Sequence, residues 1–251
     1  MEQEKLPRLC AILRRANRIV GFTGAGISTD SGIPDYRSQG GIWSRFQPVY
    51  FQEFLASREK RLLYWQRKRE LWQGLGAAHP NQGHLFFKHL HDQGKLLGLI
   101  TQNIDGLHER SGLPKAKLIN LHGNTLETLC LGCGRVTPTQ QVFDTYDVSV
   151  QEPRCAVCKG LLKPNTVSFG QPLDQANMQK AYEWSLTCDC MIVMGSTLSV
   201  QPAAAFPLVA RQHDRTLVII NLSRTELDEL ADLVFHLRIS EFVAGWRNIC
   251  R

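Results

Sequence analysis

Two cysteine pairs constrain this chain more than any other feature of it. Cys130-Leu-Gly-Cys133 and Cys155-Ala-Val-Cys158 stand 21 residues apart. Each pair can turn two thiolates toward one point, and two such knuckles close a four-sulfur cage. Gly132, Gly134 and the Lys159-Gly160 step supply the turn residues that knuckles need. The N-terminus carries no secretory apolar core, so the spacing predicts a tetrahedral zinc site rather than a disulfide framework. Four protein ligands leave no position for water, and the expected metal is therefore structural. Cys10, Cys188, Cys190 and Cys250 share no ligand spacing with this set and are expected to be packing residues.

Around the cage the chain alternates between helical and strand periods. Leu6, Leu9, Ile12, Leu13 and Ala16 recur at helical spacing, and 18–23 then reads as a short apolar strand. Helical patterns cover 51–74 and 81–92, and strands are expected at 96–101 and 117–122. Beyond the cysteines, 166–169, 190–194, 216–220 and 233–236 read as strands separated by helices. This alternation predicts an α/β fold, a parallel sheet covered by helices on both faces. Two insertions interrupt it. The expected sheet domain comprises 1–37, 94–122 and 164–251, with a helical insertion at 38–93 and a zinc-binding module at 123–163 forming a smaller domain.

The chain of 251 residues has a net charge of +6, which favours anionic partners: nucleotides, acidic peptides or nucleic acid. The local basic cluster (Arg58, Lys60, Arg61, Arg67, Lys68, Arg69) is broken by Glu59 and Glu70, and no aromatic-interleaved basic stripe of the single-strand-binding kind stands out. No run of about eighteen apolar residues occurs, so no transmembrane helix is expected. Glu2 and Glu4 argue against a transit peptide, and the expected compartment is the cytoplasm.

In a parallel sheet, ligands bind beyond the carboxyl ends of the strands, and the distinctive motifs collect there. The first strand ends in Thr23-Gly-Ala-Gly-Ile-Ser28, where glycines admit a pyrophosphate and a helix N-terminus is expected to offer free amides. Thr29 replaces the third glycine of the dehydrogenase fingerprint, and no acidic residue follows about twenty positions later, which weakens a hydride-transfer reading. Pro34 fixes a turn in Asp30-Ser-Gly-Ile-Pro-Asp-Tyr-Arg37, setting Asp35 and Arg37 beside the expected phosphates. Gln102, Asn103 and Asp105 end the next strand and suit a ribose or a carboxamide; His122 ends the third and is a candidate base. Gly195–Pro202 forms a second phosphate-type turn, and Asn221 ends the strand after it.

Taken in order, GAGISTDSGIPDYR (24–37), TQNID (101–105), LHG (121–123), the paired CxxC, FG (169–170), GSTLSVQP (195–202) and IN (220–221) resemble the sirtuin family over nearly the whole chain. The resemblance implies a Rossmann-type NAD-binding domain and an NAD-consuming protein-lysine deacylase, whose acyl-lysine substrate threads the cleft between the domains. It implies that Gly24 to Trp43 wrap NAD, with Ala25, Gly26 and Ser28 near the phosphates and Asp35, Tyr36 and Arg37 near the reactive ribose. Gln102 would meet the ribose, and Asn103, Ile104 and Asp105 the nicotinamide. Gly195, Ser196, Thr197, Asn221, Leu222, Ser223 and Ile239 would hold the remaining phosphate and adenosine. His122 would deprotonate a ribose hydroxyl after the acyl oxygen has trapped the ribose, aided by Asn103. The products would be nicotinamide, free lysine and O-acyl-ADP-ribose, and zinc would serve only as scaffold.

Val167, Phe169, Gly170, Tyr64 and Arg67 would contact the acyl-lysine. Tyr64 and Arg67 stand three apart and share a helix face. They look like the Tyr-x-x-Arg pair that sirtuins acting on acidic acyl groups place at the acyl-pocket floor, and Tyr-Trp-x-Arg is also similar to the lipoamidase-type class. Acetyl, succinyl, glutaryl and lipoyl groups are all candidates. Several positions depart from the family pattern: Tyr36 for Phe, the Ser196-Thr197 order, Gln171 for an acid, and Asn221-Leu-Ser223 without a following acid. The rival readings are an ADP-ribosyltransferase using the same NAD site, a zinc-ribbon nucleic-acid-binding module, and a dehydrogenase.

Overall fold

The computed structural model describes residues 3–36, 41 and 46–250. Its strands are β1 (Ile19–Thr23), β2 (Leu96–Thr101), β3 (Leu118–Asn120), β4 (Gly123–Cys130), β5 (Val136–Pro138), β6 (Leu162–Thr166), β7 (Cys190–Met194), β8 (Thr216–Ile220) and β9 (Leu233–Phe235). The helices that concern the site are α1 (Leu6–Arg15), α2 (Phe51–Ala56), α3 (Arg58–Ala77), α4 (Gln82–Asp92) and α5 (Leu107–Arg110). They are followed by α6 (Thr139–Thr145), α7 (Gln175–Thr187), α8 (Ala205–Gln212) and α9 (Ile239–Ile249).

Six strands form one parallel sheet in the order β3-β2-β1-β7-β8-β9. This is the doubly wound Rossmann arrangement, and its direction reverses between β1 and β7, which opens a crevice at their carboxyl ends. Although every residue of β7 is buried, its side chains alternate between two cores. Cys190, Ile192 and Met194 pack with α1, α4 and α9, while Met191 and Val193 pack with α7 and α8. Two strand glycines allow that closeness: a Cβ on Gly21 would lie 2.6 Å from the Phe87 ring, and one on Gly98 would lie 2.2 Å from Trp184.

The smaller sheet, β5-β4-β6, is antiparallel. A third core joins it to α2 and α3, through Phe54, Tyr64, Trp65, Phe143 and the cage residues Cys130 and Cys155. The buried Arg61 on α3 pairs with Glu152 and donates to the Phe54 and Leu55 carbonyls at 2.9 and 2.8 Å, so its charge is fully compensated. Ser57 ends α2 and caps α3 by accepting from Lys60 N.

Three sequence expectations differ from these elements. The strand expected at 166–169 is displaced to Leu162–Thr166 and belongs to the small antiparallel sheet, not the parallel one. Beyond it the backbone makes isolated hydrogen bonds, Val167 N to His122 O and Phe51 N to Phe169 O, so no ladder continues. Helix α4 falls within the expected insertion at 38–93, yet its Phe86, Phe87 and Leu90 pack in the large core. Finally, Cys10 and Cys250, expected only to pack, are joined in a disulfide. Helices α1 and α9 lie together on one face of the sheet and bring residues 240 apart in sequence to a Cα separation of 5.4 Å. Cys188 and Cys190 are buried free thiols.

Candidate active site

The crevice at the switch point holds a cavity of about 840 Å³, within the range of small-ligand sites. Two glycine turns make its base. After β1 the chain enters a 3-10 helix, Ala25–Ser31, where an α-helix was expected; Gly32, at φ 82°, ends it. Gly195 has φ 67°, and a Cβ there would lie 2.2 Å from Ile27 N, so only glycine fits. The amides of Gly24 and Gly26 donate to the Met194 and Gly195 carbonyls at 3.3 and 2.9 Å. Those two amides lock the turns together.

Polar side chains line this base. Gln102 Nε2 donates to Ser196 Oγ at 2.9 Å, and Thr197 Oγ1 lies 3.0 Å from Ser199 Oγ. Asn221 Nδ2 donates to the Ser223 carbonyl and hydroxyl, which closes the loop after β8. Ala25, Asp35, Leu222 and Ile239 line the same cavity. Together these hydroxyls, amides and close-packed backbones suit a dinucleotide with its riboses, phosphates and carboxamide. Ser28 and Asp105 lie one step deeper, in an adjoining pocket of about 80 Å³ shared with Tyr36, Asn103 and Ile104. Arg37 and Trp43 lie outside the described residues.

Hydrogen bonds hold the deeper pocket rigid. Asp105 accepts from Ser28 Oγ at 2.7 Å and from Leu107 N at 2.9 Å; Asn103 Nδ2 donates to the Gly24 carbonyl and to Ser28 Oγ, both at 3.1 Å. Burial pushes the Asp105 carboxyl up, against those hydrogen bonds. Burial, then the charges of Asp105 and Tyr64, push the Tyr36 phenol up to about 12, so it stays neutral. Behind this pocket stands a histidine pair that the sequence reading missed. His84 and His108 rings lie 4.8 Å apart, and His108 Nε2 is 3.0 Å from Thr23 Oγ1. Burial holds His84 down at about 4 and His108 well below its usual range. Their 24-residue separation along the chain hid the pairing, though Asn81-x-x-His84 is legible as a helix cap.

His122 follows β3, and its segment is held by Leu121 N donating to the Thr101 carbonyl at 2.9 Å. The Gln102 carbonyl lies 2.9 Å from His122 Nδ1 and can only accept, so Nδ1 carries the proton and Nε2 keeps its lone pair. Burial lowers the pKa of this imidazole, with the hydrogen bond to Gln102 pulling the other way. The ring is therefore a neutral, oriented base in the cavity wall.

Val167, Phe169 and Gly170 also line the cavity, as do Tyr64 and Arg67. The Tyr64 hydroxyl lies 3.1 Å from Thr166 Oγ1. Burial opposes its ionisation, but the ammonium groups of Lys68 and Lys163 and the bond to Thr166 outweigh it and bring the phenol down to about 7. Arg67 does not touch Tyr64 through any polar contact: its Nη1 donates to the Gln47 carbonyl and its guanidinium lies over Phe46. Lys68, Thr166 and Ser168 line the cavity too and were not among the expected substrate contacts. Lys68 sits one helical turn beyond Tyr64, a spacing that could have found it.

The four cage sulfurs lie within 4.8 Å of one another, with Cys130 and Cys158 at 3.4 Å and Cys133 and Cys155 at 3.8 Å. A tetrahedral zinc with bonds of about 2.3 Å sets its sulfurs about 3.8 Å apart, so the donor set fits zinc. Backbone amides of Cys158 and Val157 favour the thiolate of Cys155. None of the four lines the cavity, as a structural metal requires.

A Rossmann-ordered sheet with glycine turns at its switch point, a neutral histidine in the cleft and a remote four-cysteine module define a dinucleotide-binding α/β protein with a zinc ribbon. The sequence model of the Sir2 family matches residues 24–202, and the chain belongs to that family. An NAD-dependent protein deacetylase of Bradyrhizobium diazoefficiens is 44% identical over 234 residues, 93% of this chain and 92% of that one. An NAD-dependent protein deacylase of Aeropyrum pernix is 37% identical over 236 residues, covering 92% and 91%. Among solved structures, a Sir2 complex with a p53 peptide and NAD+ is 34% identical with a TM-score of 0.85, covering 96% of both chains.

Proposed function

We propose that this chain is an NAD-dependent protein-lysine deacylase that returns free lysine, nicotinamide and O-acyl-ADP-ribose. The observation that carries this reading is the neutral His122, its Nε2 unprotonated, in the cavity that also holds both glycine turns and the 167–170 segment. Bound NAD supplies an electrophilic ribose carbon once nicotinamide departs. Asn103, Ile104 and Asp105 would enclose the nicotinamide, and the locked Ser28–Asp105–Asn103 contacts hold the shape of that pocket. Gly24, Ala25, Gly26, Gly195, Ser196 and Thr197 hold the phosphates, and Asn221, Leu222, Ser223 and Ile239 the adenosine end. Asp35, Tyr36 and Gln102 face the reactive ribose. Val167, Phe169 and Gly170 hold the acyl-lysine so that His122 Nε2 can take a proton from the ribose hydroxyl. A zinc held by Cys130, Cys133, Cys155 and Cys158 stiffens the module that carries the far wall.

On the acyl group, Tyr64 and the surrounding cations support an acidic chain, succinyl or glutaryl, removed at least as well as acetyl. The test is mass spectrometry with NAD and acetyl-, succinyl-, glutaryl- and lipoyl-lysine peptides. Matched loss of acyl mass and gain of O-acyl-ADP-ribose, abolished in His122→Ala, is expected. NAD consumption with the peptides left acylated would replace this reading with ADP-ribosyl transfer.

A further inference from the structure

Helix α3 and the end of β6 bring an unusual set of groups together beside His122. Thr166 immediately precedes Val167, whose N–H donates to the His122 carbonyl at 2.8 Å. The Thr166 hydroxyl receives Tyr64 from one position and Lys68 from the next helical turn, at 3.1 and 3.4 Å. Lys68 Nζ also lies 5.4 Å from the Tyr64 ring centroid. Lys163, only 1% exposed, sets its own Nζ 5.5 Å from that ring and donates to the Thr166 carbonyl. Ser168 Oγ is buried beside the same phenol.

Two ammonium groups thus flank one phenol, and neither has a carboxylate partner among the described residues. Lys163 is spent on a carbonyl. Lys68 faces only a hydroxyl and a ring, and it lines the cavity. Arg67, the cation on the expected motif, is committed elsewhere, to the Gln47 carbonyl and the Phe46 ring, with its buried Nε left over. Lys163 is buried and Lys68 half-buried, and a charge withdrawn from water without a counter-ion is costly. The fall of the Tyr64 phenol to about 7 reports the resulting positive field. The wall is complementary to a small anion presented next to the base.

We propose that Lys68 is a specificity-determining residue of the acyl pocket. With the Tyr64 and Thr166 hydroxyls it receives the distal carboxylate of a short dicarboxylic acyl group on the substrate lysine, while Arg67 anchors the 46–47 segment. This rests on the deacylase reading above. It assigns the carboxylate to an ammonium and two hydroxyls instead of to a bidentate guanidinium. A carboxylate so placed gains charge-assisted hydrogen bonds that its neutral amide isostere cannot match.

The test compares kcat/KM for succinyl-lysine, its neutral succinamoyl isostere and acetyl-lysine peptides at about pH 6.0, on the protonated side of the Tyr64 phenol. The wild type should favour succinyl over the isostere at least tenfold. Lys68→Met should reduce that ratio at least tenfold, and Lys68→Arg should restore most of it. A merely structural role for Lys68 would lower all three substrates together and leave the ratio in place, which overturns the proposal. If Arg67→Met collapses the ratio and Lys68→Met does not, Arg67 is the recogniser; the deacylase reading survives and this proposal does not. A wild type indifferent to the carboxylate overturns the acidic-acyl preference as well. Failure to turn over any peptide removes the deacylase reading itself.

Discussion

At the scale of single residues, one hydrogen bond decides the chemistry of His122. Donation from Nδ1 to the Gln102 carbonyl selects the tautomer, and burial favours the uncharged ring. The pKa is lowered, so the base is fully available at and above the usual histidine range and is lost only as pH falls through the lowered value. With an acetyl-lysine peptide, which makes no demand on the Tyr64 hydroxyl, the kcat/KM profile should therefore be flat above about pH 6.5 and drop only on a more acidic limb. A limb centred above the ordinary histidine range would contradict this orientation. His122 was legible because a polar residue at a strand end is conspicuous after an apolar run. For Lys68 only the helical spacing to Tyr64 was local, and its other neighbour, Thr166, lies 98 residues away. In sequence it is one more charge in a basic helix.

At the scale of elements, the strands were read well where apolar runs end in glycine or polar turns, as at 19–23, 96–101, 190–194 and 216–220. Thr166-Val-Ser-Phe169 has strand composition too, yet composition does not say which sheet receives it. Pairing with β4 ends the strand at Thr166, and the remainder lines the cavity. The strand glycines carry a similar lesson. Gly98 looks like a weak strand residue until Trp184 is seen resting on it. Gly98→Ala should force that indole to shift and destabilise the fold by about 1–3 kcal/mol, measured by urea unfolding. An unchanged midpoint would mean that α7 is free to move away from the sheet.

At the scale of the whole molecule, the zinc module acts on the reaction only through packing. Cys130 and Cys155 sit in the core with Phe54, Tyr64, Trp65 and Phe143, so the cage, α3 and the acyl side of the cleft form one cooperative unit. The parallel sheet has separate cores of its own. Chelating the metal should abolish acyl-peptide turnover and alter the fluorescence of the buried Trp65, with both restored by added zinc. Full turnover by metal-free protein would show that the cleft wall stands without the cage.

Signals that are local along the chain needed no tertiary information. The CxxC pairs, the glycine turns, TQNID and the strand-end histidine each combine chemistry and geometry within a few residues, and the sheet's periodicity sets where they go. The sequence alone therefore determined the fold class, the zinc ligands and the polar rim of the cleft. Contacts between distant segments depend on how whole elements pack, which no short window encodes. The Cys10–Cys250 bridge, the His84–His108 pair, the docking of α4 on the large core and the cluster of Tyr64, Lys68, Lys163 and Thr166 were decided only when the cores closed.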